Sequence, residues 1–136
     1  MTTPVTQTPP APPSEAASHF SRKLAFETDC ADVYAALRTG AQDFVLLDVR
    51  EAAAYARGHV PGALTLPHDD MTAERMMAWP HDMLFVVYCA GPHCNGADKA
   101  ARKLALLGRP VKVMIGGIVG WADQGFPFEV ASSSEA

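Results

Sequence analysis

Residues 84–107 leave this chain few ways to fold. Leu84-Phe85-Val86-Val87-Tyr88 is a short β-branched and aromatic run that ends on Cys89. A compact loop follows, Ala90-Gly91-Pro92-His93-Cys94-Asn95-Gly96, with two glycines and a proline. From Ala97 to Leu107 the apolar residues return at helical spacing, and Gly108 supplies a left-handed stop. A buried strand, a cysteine, a tight loop and a helix in that order bring a sulfur to where backbone N–H groups and a helix N-terminus converge. Such a field favours anions, so it should depress the thiol pKa and steady a persulfide.

The flanking pattern alternates in the same way. Thr28 or Asp29 can cap a helix carrying Val33, Ala36 and Leu37, closed by Gly40. Phe44-Val45-Leu46-Leu47 is a continuous apolar run suited to a strand covered on both faces. Ala63-Leu64-Thr65-Leu66 reads as another strand, stopped by Pro67. Asp70 or Thr72 can cap a short helix through Met76 and Met77, and Val111-Lys112-Val113-Met114-Ile115 is a further strand before the Gly116-Gly117 turn. Strands alternating with helices predict an α/β fold, with a mostly parallel sheet of about five strands flanked by helices on both faces. Ligands of such sheets sit at the C-terminal ends of strands, where Cys89 falls.

With 136 residues the chain has one domain's worth of core. Residues 1–18 are rich in Pro, Thr, Ser and Ala and lack aromatics, which predicts a disordered tail. The folded domain is expected over 19–130, with a short polar tail over 131–136. A net charge of −4 excludes a basic footprint for nucleic acid or an anionic membrane surface. No apolar run approaches the roughly 20 residues of a membrane span. The N-terminus lacks the pattern of a secretory signal, and three cysteines do not make a disulfide framework. These features point to the cytoplasm.

Four separated groups carry a family resemblance. Leu46-Leu47-Asp48-Val49-Arg50-Glu51 resembles the first signature of rhodanese-like domains. Tyr55, Gly58-His59-Val60-Pro61-Gly62-Ala63 and Leu66-Pro67 resemble the family's second segment. Val87-Tyr88-Cys89 is similar to its catalytic strand end, and Gly116-Gly117-Ile118, Trp121, Gly125 and Pro127 to its closing pattern. The groups occur in the family's order from Phe44 to Pro127. The resemblance implies a single-domain sulfurtransferase. Its strand-end cysteine, here Cys89, takes the outer sulfur of thiosulfate or of a small-molecule or protein-bound persulfide. It then passes that sulfur to a thiol or cyanide acceptor, with no metal or organic cofactor. The loop from Ala90 to Gly96 would bind the substrate, and Asp48 and Arg50 would pair as a brace of the site's rim.

The loop departs from the family pattern. Sulfurtransferases of the family often carry Arg or Lys five residues after the nucleophile, and phosphatase relatives carry Arg at the sixth. Here those positions are Cys94 and Asn95. Phosphoryl chemistry loses its bidentate partner, and dianionic thiosulfate loses a charge-assisted contact. His93, Lys99 and Arg102 are the candidate substitutes. Cys94 is a candidate resolving thiol for Cys89, a weak S–H donor, or a small packed loop residue. Cys89, His93 and Cys94, with His68 or Asp69, were weighed as zinc ligands, but the paired spacing of a structural site is missing. Two other readings stay open: a noncatalytic rhodanese-like binding or regulatory module, and a Cys89/Cys94 redox switch.

Elsewhere the polar and sulfur residues read as structure. His59 is expected to bond backbone, Cys30 to pack near a helix start, and Trp121 and Phe126 to cover one end of the core. Met71, Met76 and Met77 suit core packing or a pocket mouth. Trp79 and Pro80 would pin the link into the strand that ends at Cys89.

Overall fold

The fold is read from a computed structural model that describes residues 1–40 and 42–131. Its centre is a five-stranded, all-parallel sheet in the order β1-β5-β4-β2-β3. The strands are β1 (Glu27–Thr28), β2 (Val45–Asp48), β3 (Leu64–Thr65), β4 (Phe85–Tyr88) and β5 (Val111–Met114). The helices are α1 (Pro13–Phe26), α2 (Cys30–Thr39), α3 (Ala52–Arg57), α4 (Ala73–Met76), α5 (Gly96–Leu106) and α6 (Gly117–Asp123). All four residues of β4 are buried, with β2 on one side and β5 on the other.

Alternation along these strands builds two cores. Leu47, Phe85, Val87 and Cys89 face one side and pack with Met71, Met76, Ala97, Ala100 and Leu104. Leu46, Val86 and Tyr88 face the other, with Cys30, Val33, Val60 and Trp121. Both faces being apolar is why β2 and β4 read as unbroken hydrophobic runs. Trp121 is fully buried and donates its indole N–H to the Pro127 carbonyl at 2.7 Å, while Phe126 and Tyr34 cover it edge-on. Truncating Trp121 to alanine would cost about 3–5 kcal/mol.

The expected caps are present. Asp29 accepts from the Asp32 N–H at 2.8 Å, and Gly40 closes α2 at φ +70°. Thr72 accepts from the Arg75 N–H at the start of α4. The strand expected over 63–66 is shorter, only Leu64–Thr65, and both residues are exposed on the sheet edge. Met71 and Met76 are core residues, whereas Met77 is exposed.

The N-terminal segment departs from the expected tail. Helix α1 begins at Pro13 and runs across residue 18. The prolines end at the first position of the helix, Pro13, where a missing N–H costs nothing. Ala16 and Ala17 favour the helix, Glu15 suits its first turn and Lys23 its last. Lys23 then pairs with Glu27 at 2.6 Å. No residue of α1 is buried, and Lys112 of β5 donates to the Leu24 carbonyl at its end. The expected C-terminal tail falls outside the described residues from 132 onward. Ala131 donates to the Ala56 carbonyl.

Candidate active site

Cys89 lies immediately after β4, and α6 holds its backbone in place. Ile118 donates to the Cys89 carbonyl at 3.0 Å, and Val119 to the Ala90 carbonyl at 2.9 Å. That close approach requires glycine at 117: a Cβ there, at φ +60°, would sit 2.5 Å from the Cys89 oxygen. Gly91 lies under Val119, where an added Cβ would meet the valine Cβ at 3.1 Å. The Cys94 N–H returns to the Gly91 carbonyl at 3.0 Å, making a tight turn of residues 91–94 ahead of α5.

This turn brings two sulfurs together. Cys89 Sγ and Cys94 Sγ are 2.7 Å apart, and all three cysteines of the chain are free thiols. The Gly96 N–H, at the start of α5, points to Cys94 Sγ at 3.4 Å. Gly96 also keeps the space above the pair open, since a Cβ there would lie 2.8 Å from Cys89 Sγ and 3.3 Å from Cys94 Sγ.

The proton distribution differs from the expectation of a depressed Cys89. Burial, and then its hydrogen bond to Cys94, push the Cys89 thiol up to about 11, against a lowering contribution from the Ala90 N–H. Cys94 moves the other way. The Cys89 S–H and the Gly96 N–H favour its thiolate, and Lys99 adds a favourable charge. Only 9% of Cys89 is exposed, while Cys94 faces solvent, and that difference decides which sulfur carries the charge. Of the two thiols, Cys94 gives up its proton first, and Cys89 holds its own more tightly.

Both sulfurs open into a cleft of about 250 Å³. Gly91, Pro92, Ala97 and the Val113–Gly117 backbone line it, together with two carboxylate residues, Glu27 and Asp98. Among the described residues no Lys or Arg lines it, and neither does His93. Of the predicted loop, Cys89, Gly91, Pro92 and Cys94 face the cleft, while Ala90, His93, Asn95 and Gly96 do not line it. Asn95 stands at the start of α5 without a side-chain cap bond, although its carbonyl accepts from Lys99 N–H.

Asp48 and Arg50 pair behind the site. The Arg50 Nη2 donates to Asp48 Oδ2 at 2.7 Å and to the Gly58 carbonyl at 2.6 Å. Asp48 is fully buried at the end of β2, opposite Tyr88, whose hydroxyl accepts from Val60 N–H. Burial pushes the Tyr88 hydroxyl up, and the Asp48 carboxylate adds to it, so it stays protonated. Neither member of the pair lines the cleft. His59 stacks on Tyr55 and bonds its carbonyl at 2.9 Å.

Sequence reasoning passed over Glu27, Asp98 and Ile115 at the cleft. Glu27 belongs to a two-residue strand too short for any periodic signal. The Gly116-Gly117 turn was the available hint, because a glycine pair at the end of a neighbouring strand marks close backbone approach. Arg109 was also missed. It is buried and donates to the Met76, Trp79 and Pro80 carbonyls, fixing the link that leads into β4.

A parallel α/β sheet with a cysteine loop at the end of its central strand defines a small class of proteins, and comparison with known ones places the chain within it. Residues 29–124 match the model of the rhodanese-like domain. The chain belongs to the rhodanese-like domain family. It is 35% identical over 92 residues to the HTH-type transcriptional regulator Rv0324 of Mycobacterium tuberculosis, covering 68% of this chain and 40% of that protein. A sulfurtransferase of Allochromatium vinosum is 34% identical over 86 residues, 63% of this chain and 78% of the relative. Among solved structures, the BH2092 protein of Bacillus halodurans superposes with a TM-score of 0.85 at 37% identity, covering 92% of this chain and 91% of that one. Among the described residues no helix is long and apolar enough to cross a membrane.

Proposed function

We propose that this protein is a sulfurtransferase that carries sulfane sulfur as a persulfide on Cys89. The observation that carries the reading is the Cys89–Cys94 pair at 2.7 Å, opening into a cleft at the end of the central strand. Family membership and the sulfurtransferase relative support it.

The pair suggests how Cys89 is activated despite its burial. The Cys94 thiolate accepts the Cys89 proton as Cys89 Sγ bonds to the donor's outer sulfur. The donor's inner sulfur leaves with the bonding electron pair and takes that proton from Cys94. The outer sulfur stays on Cys89 as a persulfide, and an acceptor thiol or cyanide then removes it. Asp98 at the cleft, with no Lys or Arg among the described lining residues, opposes a compact dianion, and Glu27 beside it is already paired with Lys23. The favoured donor is therefore a small-molecule or protein-bound persulfide, with thiosulfate a poor one.

Intact-protein mass spectrometry after glutathione persulfide, and separately thiosulfate, tests this. The expected result is a gain of about 32 Da, on the wild type at short times or on Cys94→Ser, that cyanide removes and that Cys89→Ser never acquires. Neither added mass nor released hydrosulfide with either donor, in the reduced, folded protein, would overturn the reading and favour a noncatalytic rhodanese-like module.

A further inference from the structure

Resting on that persulfide, we propose that Cys94 turns the protein into a persulfide reductase: its sulfur attacks Cys89 Sγ, closes a Cys89–Cys94 disulfide and expels the sulfane sulfur as hydrosulfide. The new bond joins the two Sγ atoms, and the bond that breaks joins Cys89 Sγ to the outer sulfur. The outer sulfur leaves with the electron pair and binds one proton as HS⁻. Two electrons pass to the sulfane sulfur, which is the oxidant of the step, and each cysteine sulfur gives one. A dithiol reductant then restores the two thiols.

Several observations point the same way. The two sulfurs already stand at 2.7 Å, so the attacking atom is delivered by the fold and needs no encounter. The Gly91–Cys94 turn bond holds Cys94 in position, and the absent side chain at Gly96 leaves room above both sulfurs. The Gly96 N–H at 3.4 Å and Lys99 favour the Cys94 thiolate, so the sulfur that ionises more readily is the one that did not receive the sulfane sulfur. Cys94 is also the exposed member, so a reductant can reach the disulfide from solvent. Cys30, the third cysteine, is enclosed in the opposite core and takes no part.

The test treats the reduced full-length protein, without oxygen or added reductant, with one equivalent of glutathione persulfide. Hydrosulfide is then measured beside intact mass and thiol alkylation. The wild type is expected to release about one equivalent of hydrosulfide and, by alkylation after denaturation, to lose two of its three thiols, leaving Cys30. Cys94→Ser, with Cys94→Ala as a second variant, is expected to load more slowly for want of the Cys94 proton acceptor, then to keep about 32 Da on Cys89 and to release hydrosulfide only after further thiol is added. Glutathione formed during loading is the same in all samples, so the difference reports Cys94. A wild type that keeps its persulfide while Cys94 remains alkylatable would overturn the proposal and leave the sulfurtransferase reading standing. Sulfur mapped to Cys94 would also overturn it, showing transfer between the cysteines instead of reduction. No uptake by wild type or either variant would overturn both.

Discussion

Cys30 and Cys94 both stand where a helix begins, yet their environments drive them in opposite directions. Cys30 is the first residue of α2. Its S–H points at the carbonyls of Ile115 and Gly117, and Asp29 adds a negative charge beside it. Burial and that carboxylate push it up to about 11. Cys94 precedes α5 in a solvent-facing turn, where it accepts from the Cys89 S–H and the Gly96 N–H, and its pKa falls. The same helix-start signal therefore accompanies a thiol held protonated in one place and a more readily ionised one in the other. What the sulfur faces, and how much water reaches it, outweighs the helix dipole.

Substituting the glycine nearest each sulfur is the strongest way to break that contrast. Gly96→Ala would put a methyl 2.8 Å from Cys89 Sγ, and sulfur loading should fall about 100-fold in a folded protein. Gly120→Ala would stand 3.5 Å from Cys30 Sγ, an ordinary contact inside a helix. It should leave loading unchanged and alter stability by no more than about 1 kcal/mol. Loading rates together with denaturant midpoints check both variants, and equal losses at the two sites would erase the distinction drawn here.

Cys94→Ser sharpens the comparison from the other side. It removes both the hydrogen bond and the charge with which Cys94 raises Cys89, leaving burial as the main upward cause. The pH midpoint for alkylation of Cys89 should therefore fall, by about one unit, or tenfold in thiolate at a given pH below it. In the wild type Cys94 should alkylate first. Peptide-resolved iodoacetamide kinetics across pH would show an unmoved midpoint if the two sulfurs do not interact.

Cys30 should matter to alkaline stability and not to sulfur chemistry. Its folded pKa of about 11 lies above its ordinary value of 9.0, so the native state keeps a proton that the unfolded chain releases. The resulting stability is full below about pH 9 and is lost as pH rises toward about 11. Cys30→Ala should cost about 1 kcal/mol at neutral pH, show a shallower decline between those limits and load sulfur normally. Denaturant unfolding at intervals across that range measures it. The smallest effect is expected from Cys94→Arg, which adds a cation to the cleft. Thiosulfate loading should rise about threefold, equivalent to about 0.6 kcal/mol, and no gain would show that anion binding does not limit that donor.

Much of the frame was legible because its signals are local. Strands β2 and β4 follow continuous apolar runs and β5 one broken only by Lys112, and Asp29, Gly40 and Thr72 mark helix ends through short-range bonds or a left-handed turn. Helix α3, only six residues long and starting just after the Asp48–Arg50 segment, has too little periodicity to announce itself. Strand β1 exists through its pairing with β5, Glu27 opposite Val113, which no two-residue pattern can encode. Helix α1 was hidden by prolines that lead into it instead of interrupting it.

For the site, local sequence determined that a cysteine ends the central strand, that a glycine-containing turn follows, and that a second cysteine stands five residues on. Only tertiary structure decided where the charge rests. Desolvation is a sum over neighbours from distant segments: β2 and β5 flank the strand leading to Cys89, α6 clamps its backbone, and the turn at 91–94 lifts Cys94 into solvent. The acidic residue Glu27 reaches the same cleft from the far edge of the sheet. A linear pattern carries spacing along the chain, whereas burial and Coulomb energy depend on distance through space, and so the thiol that ionises more readily is Cys94 and not the expected Cys89.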